Sequence, residues 1–150
     1  MDKITNVADY IIKRYHELTG ECLDEMKLHK LLYFTQRESF AILGQPAFIG
    51  DFEGWKFGPV SREVRNSFIN GEIVIPTEPI SDSIQYIASN VIIEYGSLAS
   101  WRLSELSHRE ISWNNSRKGL APGENGSRVI SLSDCLLYTS PSPRDSTSCR

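Results

Sequence analysis

The chain has 150 residues, 40% of them hydrophobic and 23% charged, and a formal net charge of −3. That length supports one core rather than two, and a mildly acidic surface holds no general attraction for a phosphate backbone, so a nucleic-acid partner is not expected. The opening residues, Met1 to Asn6, lack the basic start and apolar run of a secretory signal, and no stretch approaches the roughly 18 apolar residues of a bilayer span. A soluble, cytoplasmic protein with no membrane partner is therefore expected.

In chain order, Val7, Ala8, Ile11, Tyr15 and Leu18 recur at three- and four-residue spacing, which predicts an amphipathic helix from Thr5, as its cap, to Leu18, with Gly20 beyond its end. Asp24 caps a second helix running to Leu43 and stopped by Gly44 and Pro46. Leu28, Leu31, Leu32, Tyr33, Phe34 and Phe40 cover so much of its circumference that it belongs at the centre of the core. The aromatic and glycine-rich stretch Phe48 to Val60 favours a short strand or hairpin over Phe52 to Phe57, ended by Gly58-Pro59. Ser61 caps a third helix carrying Val64 and Phe68.

Ile73-Val74-Ile75 is too short to classify, and Pro76 and Pro79 enforce a linker. A fourth helix starts at Ser81 or Asp82, with Gln85 in capping-box spacing, and ends at Gly96. Ser97 caps a further helical stretch through Leu106, another turn follows from Trp113 to Arg117, and Lys118 to Ser127 reads as a mobile loop before an extended Val129-Ile130. The fold expected is mainly α (α+β): a single compact helical domain of five or six helices with a small β-hairpin or short strands.

The C-terminal run Cys135-Leu-Leu-Tyr-Thr-Ser-Pro-Ser-Pro-Arg-Asp145 reads as a translated sequencing adapter. The expected organisation is a domain over 1–134, cut short at its C-terminus, and a disordered non-native tail over 135–150. Without that tail Cys22 is the one cysteine left, which permits neither a disulfide framework nor a cysteine metal cluster and suits a reducing compartment.

Of the residues able to carry chemistry, His16, His29 and His108 stand in no metal-ligand spacing. Gly50, Gly54 and Gly58 fit no phosphate loop and instead suggest close backbone packing beside Trp55. The carboxylate pairs Glu21 with Asp24 and Asp51 with Glu53 are expected on surface turns, as solvated charge. Lys27, Lys30 and Arg37 alternate with Tyr33 and Phe34, a pattern read as a solvated helix face over core aromatics. His108, ending the fifth helix, is read as a structural histidine bonding the last carbonyls. No enzymatic activity, catalytic residue, cofactor or metal is expected.

Three blocks are distinctive together: Lys27-Leu-His-Lys-Leu-Leu-Tyr-Phe34, Phe52-Glu-Gly-Trp-Lys-Phe-Gly-Pro-Val60, and Leu103-Ser-Glu-Leu-Ser-His108 followed by Trp113. They resemble the Panacea domain family, also described as SocA-like antitoxins and, among phage-associated proteins, as GepA-like. Lys27, Lys30, Tyr33, Glu53, Trp55, Gly58, Pro59, His108 and Trp113 match the family pattern. Gly54 stands for its Ala, Phe57 for its Tyr, Ser107 for its Thr and Ser112 for its Pro.

The resemblance implies an antitoxin of a bacterial or phage toxin–antitoxin pair that neutralises its cognate toxin by direct binding. Exposed parts of Trp55, Lys56 and Phe57, with the loop near Leu120, are the candidate anchors. Two other readings stay open at this level. One is an adaptor or regulatory module presenting a partner to a protease or chaperone; the other is a phage-associated enzyme centred on His108 with Glu105 or Glu110.

Overall fold

A computed structural model describes residues 1–71, 79–131 and 134. The 72–78 linker with its Ile73-Val74-Ile75 run, Leu132-Ser133 and the 135–150 tail lie outside the described residues. The apolar stripe of the first segment folds as helix α1, Ile4–Thr19, which buries Ile4, Val7, Ala8, Ile11 and Tyr15. Thr5 is not its cap. Lys3 holds that position with no side-chain bond, because Asp2–Lys3 (β1) leads straight into the helix while pairing in parallel with Phe48–Ile49 (β2).

Helix α2, Glu25–Leu43, begins where expected: the Asp24 carboxylate accepts the Lys27 amide at 2.8 Å, satisfying one of the orphan donors of the first turn. Every residue from Leu28 to Phe40 is buried, so α2 is the axis of the domain. It packs against α1, the later helices α3 (Arg62–Ile69), α4 (Asp82–Tyr95) and α5 (Ser100–Ser107), and strand β4 (Gly58–Val60). Encirclement overturns one expectation. Lys30 and Arg37, assigned to a solvated face, are 1% and 5% exposed.

The expected hairpin is present as Glu53–Trp55 (β3) paired antiparallel with β4, with Glu53 opposite Val60 and Trp55 opposite Gly58. Gly58-Pro59 does not end the extended segment but forms its second strand. The stretch at Val129-Ile130 adds to the outer edge of β3: Glu53 and Val129 form an antiparallel bridge, and Gly54 donates its amide to the Arg128 carbonyl at 2.9 Å.

Ser61 caps α3 by accepting the Val64 amide. Helix α4 starts at Asp82 without the capping box. Ser81 turns both its hydroxyl and its amide to the Asp2 carboxylate, and the Gln85 carboxamide donates to the Ile80 carbonyl. Helix α5 is preceded by Ala99, not Ser97, at the cap position, and α6, Ile111–Ser116, completes six helices among the described residues. The loop after α6, expected to be mobile, is fastened to the hairpin. The Arg117 guanidinium donates to the carbonyls of Gly54 at 3.0 Å, Ala121 at 3.2 Å and Glu124.

Candidate functional site

The Lys56-Phe57 turn of the hairpin stands beside a groove of about 570 Å³ whose walls include Met26, Trp55, Lys56, Phe57, Arg65 and Gly126. Trp55 is half-buried and held by its neighbours. Its indole N–H donates to Glu53 Oε1 at 3.0 Å, and the same carboxylate receives Arg62 through two bonds of 3.0 and 3.1 Å. The guanidinium carbons of Arg62 and Arg65 each lie 5.4 Å from the Trp55 ring centre, within the range of a cation–π attraction. The hydrogen bond from Arg62 holds the Glu53 carboxyl below its ordinary value, so this clasp is ionic at neutral pH.

On the wall formed by α2, Arg65 donates to Glu25 Oε2 at 2.8 Å, and the same oxygen lies 2.9 Å from His29 Nε2. His29 Nδ1 accepts the Ser61 amide at 3.2 Å, which assigns the proton to Nε2. Both ring nitrogens are therefore engaged in holding α2 to the start of α3. Burial is the main cause of a His29 pKa below the ordinary imidazole value.

Behind the turn, the hairpin meets α2, α5 and α6. Gly58 has a φ of +126°, and a Cβ there would meet Ser107 Oγ at 2.8 Å and Lys30 Cε at 3.4 Å, so only glycine allows the strand to press so closely. Lys30 Nζ has one hydrogen-bond partner, the Met26 carbonyl, at a long 3.3 Å. Burial pushes this ammonium down from 10.5 to about 8, a penalty on its charge of about 3 kcal/mol. His108 stacks on Trp113 with ring centres 4.1 Å apart, while the Trp113 indole donates to the Trp55 carbonyl at 2.8 Å. His108 Nε2 is buried without a hydrogen-bond partner. Burial, and secondarily the charges of Lys30 and Arg117, lower the His108 pKa; the Lys56 backbone carbonyl opposes them.

Thus the structure brings together Lys30, Glu53, Trp55, Lys56, Phe57, Gly58, Pro59, His108 and Trp113, and it sets two matched residues apart. Lys27 donates to the Gly96 carbonyl at 2.9 Å, tying α2 to the end of α4. Tyr33 is buried, with its hydroxyl bonded to Ser112 Oγ and Glu110. Ser112, standing for the family's Pro, thereby supplies Tyr33 with a partner. Gly54, standing for Ala, leaves room for Ser116, whose Oγ would lie 1.9 Å from an added Cβ.

Sequence reasoning missed Glu25, His29 and Arg65 as parts of the groove, since the contacts of Glu25 with Arg65 and of His29 with Ser61 join distant segments, and it missed Arg62 as a clamp on Trp55. It also missed the buried network in which Arg37 pairs with Glu38 and Glu110, each at 3.0 Å, and bonds the Tyr95 hydroxyl. The reading of His108 as a base paired with Glu105 or Glu110 meets a different geometry. Glu105 pairs with Arg102 on the surface, and Glu110 is committed to Arg37 and Tyr33. Cys22 is exposed between α1 and α2.

Comparison with known proteins gives two findings. A family model described as antitoxin SocA-like, Panacea domain, matches residues 28–114, which takes in the hairpin, His108 and Trp113. Antitoxin SocA of Caulobacter vibrioides (strain NA1000 / CB15N) is 26% identical over 103 residues, covering 57% of this chain and 55% of that protein. The chain thus spans about half the length of the curated relative it matches. No solved structure matches. Among the described residues, no helix is long and apolar enough to cross a membrane.

Proposed function

The chain belongs to the SocA-like antitoxin family, Panacea domain, and from that premise we propose that it neutralises a cognate toxin in the cytoplasm by direct protein–protein contact at the groove beside the hairpin turn. The observation that carries this reading is the open face at the hairpin turn, where the family-pattern Trp55 stands beside Lys56 and Phe57 while Gly58 and Trp113 hold the hairpin from behind. Phe57 is 56% exposed at the tip, and Trp55 is steadied beside it by two arginines. Binding hot spots favour this composition, because a Trp or Arg already fixed in place loses little freedom on association.

A stable complex covers roughly 800 Å² on each partner, so the groove serves as its centre and the surrounding surface as its rim. The site acts by contact and not by turnover. His29 has both nitrogens occupied, and Glu105 and Glu110 serve other partners. The direct test is coexpression with the product of the neighbouring reading frame. This chain should restore growth and copurify with that product, and the double replacement of Trp55 and Phe57 by Ala should weaken binding about a hundredfold or more, as loss of two hot-spot side chains does. Growth rescue without any copurifying partner would contradict it.

A further inference from the structure

We propose that the contact face extends beyond the groove, across the Lys56-Phe57 turn to Trp101 on α5, and that it receives a segment of the partner protein carrying a carboxylate between apolar side chains. The inference rests on the antitoxin reading for the identity of that protein, and adds to it a further aromatic anchor and a charge. Trp101 is 70% exposed, the most exposed aromatic side chain among the described residues. An indole buries roughly 150–250 Å² when covered, so one left in water is a large unused source of binding energy.

Helix α5 places this indole beside the turn. Ser104 Oγ donates to the Phe57 carbonyl at 2.8 Å, and Ser107 Oγ would lie 2.8 Å from a Cβ added at Gly58. The helix therefore lies against the turn itself. Trp101 precedes Ser104 by three residues, which makes the two side chains neighbours on the helix surface, with Cβ atoms about 5–6 Å apart. Trp101 stands outside the groove walls, so it adds surface that the groove alone does not supply.

Charge selects the partner. The chain is acidic as a whole, with 19 acidic and 16 basic residues, yet the ionised side chains lining the groove are Lys56 and Arg65 against Glu25. Glu25 is already engaged, since one of its oxygens holds both Arg65 and His29. Burial keeps His29 itself neutral at pH 7. Lys56 forms no ion pair among the described residues, and its ammonium lies 5.2 Å from the centre of the Phe57 ring. On the α5 side, Arg102 and Glu105 neutralise each other. One uncompensated cation thus marks the turn where the two aromatic regions meet. A carboxylate of the partner meets Lys56 there, while the apolar side chains flanking it cover Trp55 and Phe57 on one side and Trp101 on the other.

The test measures the affinity of the full chain for the purified product of the neighbouring reading frame by calorimetry, at low and at high salt. Trp101→Ala should weaken binding about tenfold or more and leave the melting temperature unchanged, because the side chain removed is in water in the free chain. Lys56→Glu should weaken binding by a similar factor and abolish the loss of affinity that added salt causes in the parent.

Trp101→Ala binding as tightly as the parent would end the face at the groove and overturn the inference, with the antitoxin reading left in place. Lys56→Glu binding as tightly as the parent, or more tightly, would overturn it equally, since the partner's contact would then carry no acid. A parent chain that binds no partner and sediments as a dimer, split by Trp101→Ala, would give the face to a second copy and overturn it too. Absence of any complex with the parent chain would sink the antitoxin reading and the inference with it.

Discussion

At the scale of single residues, the buried His29 and the half-buried His108 make the fold sensitive to acid. His29 accepts the Ser61 amide through Nδ1, so protonation there replaces a hydrogen bond with two opposed N–H groups. Its pKa, like that of His108, is below 6.5 in the folded chain, chiefly through burial. The unfolded chain therefore binds more protons than the folded one just below pH 6.5, and stability falls as pH drops through that window. Thermal melts at about pH 7.5 and about pH 5.5 should show a clear loss at the lower value. His29→Asn keeps an acceptor for the Ser61 amide and should flatten the profile. An acid response unchanged in that variant would assign it elsewhere.

At the scale of elements, the β3–β4 hairpin is the part on which the site depends, and its position is set by close approach together with the bonds that Arg117, Trp113 and Ser104 donate to its carbonyls. Two pairs of residues flank it: Gly54 against Ser116 of α6, and Gly58 against Ser107 of α5. Replacing Gly58 by Ala adds a Cβ at 2.8 Å from Ser107 Oγ and imposes a φ of +126° on a residue that resists it. The expected cost is about 2–3 kcal/mol in urea denaturation, with the proposed toxin binding lost in parallel. Unchanged stability would mean that the strand can retreat from α5.

The hairpin was legible because aromatics, three glycines and a proline in 13 residues allow little else. Its third neighbour at Val129 and the parallel pairing of β1 with β2 were not. Both join segments far apart in the chain, and neither two-residue strand carries a pattern of its own.

For the molecule as a whole, α2 shows where sequence reasoning succeeds and where its default misleads. Its broad apolar girth pointed to a central helix, and five other elements surround it. The same encirclement buries Lys30 and Arg37, which a helix on the surface would have left in water. Arg37 is compensated by Glu110, 73 residues away, a pairing no local rule contains. The family pattern marked Lys30, Trp55, Gly58, His108 and Trp113 as belonging together without saying why. The geometry supplies the reason: a hairpin pressed onto α5 and α6, with an exposed aromatic tip on one side and an underused buried cation on the other.

Hydrogen exchange on this chain, free and with the proposed toxin partner, tests the direct-contact account most sharply. The account predicts new protection centred on the backbone amides of residues 55–57 and 125–127, which border the groove. Protection confined to the α1–α3 surface around Ile12 and Phe68, with the hairpin amides exchanging as in the free chain, would contradict it.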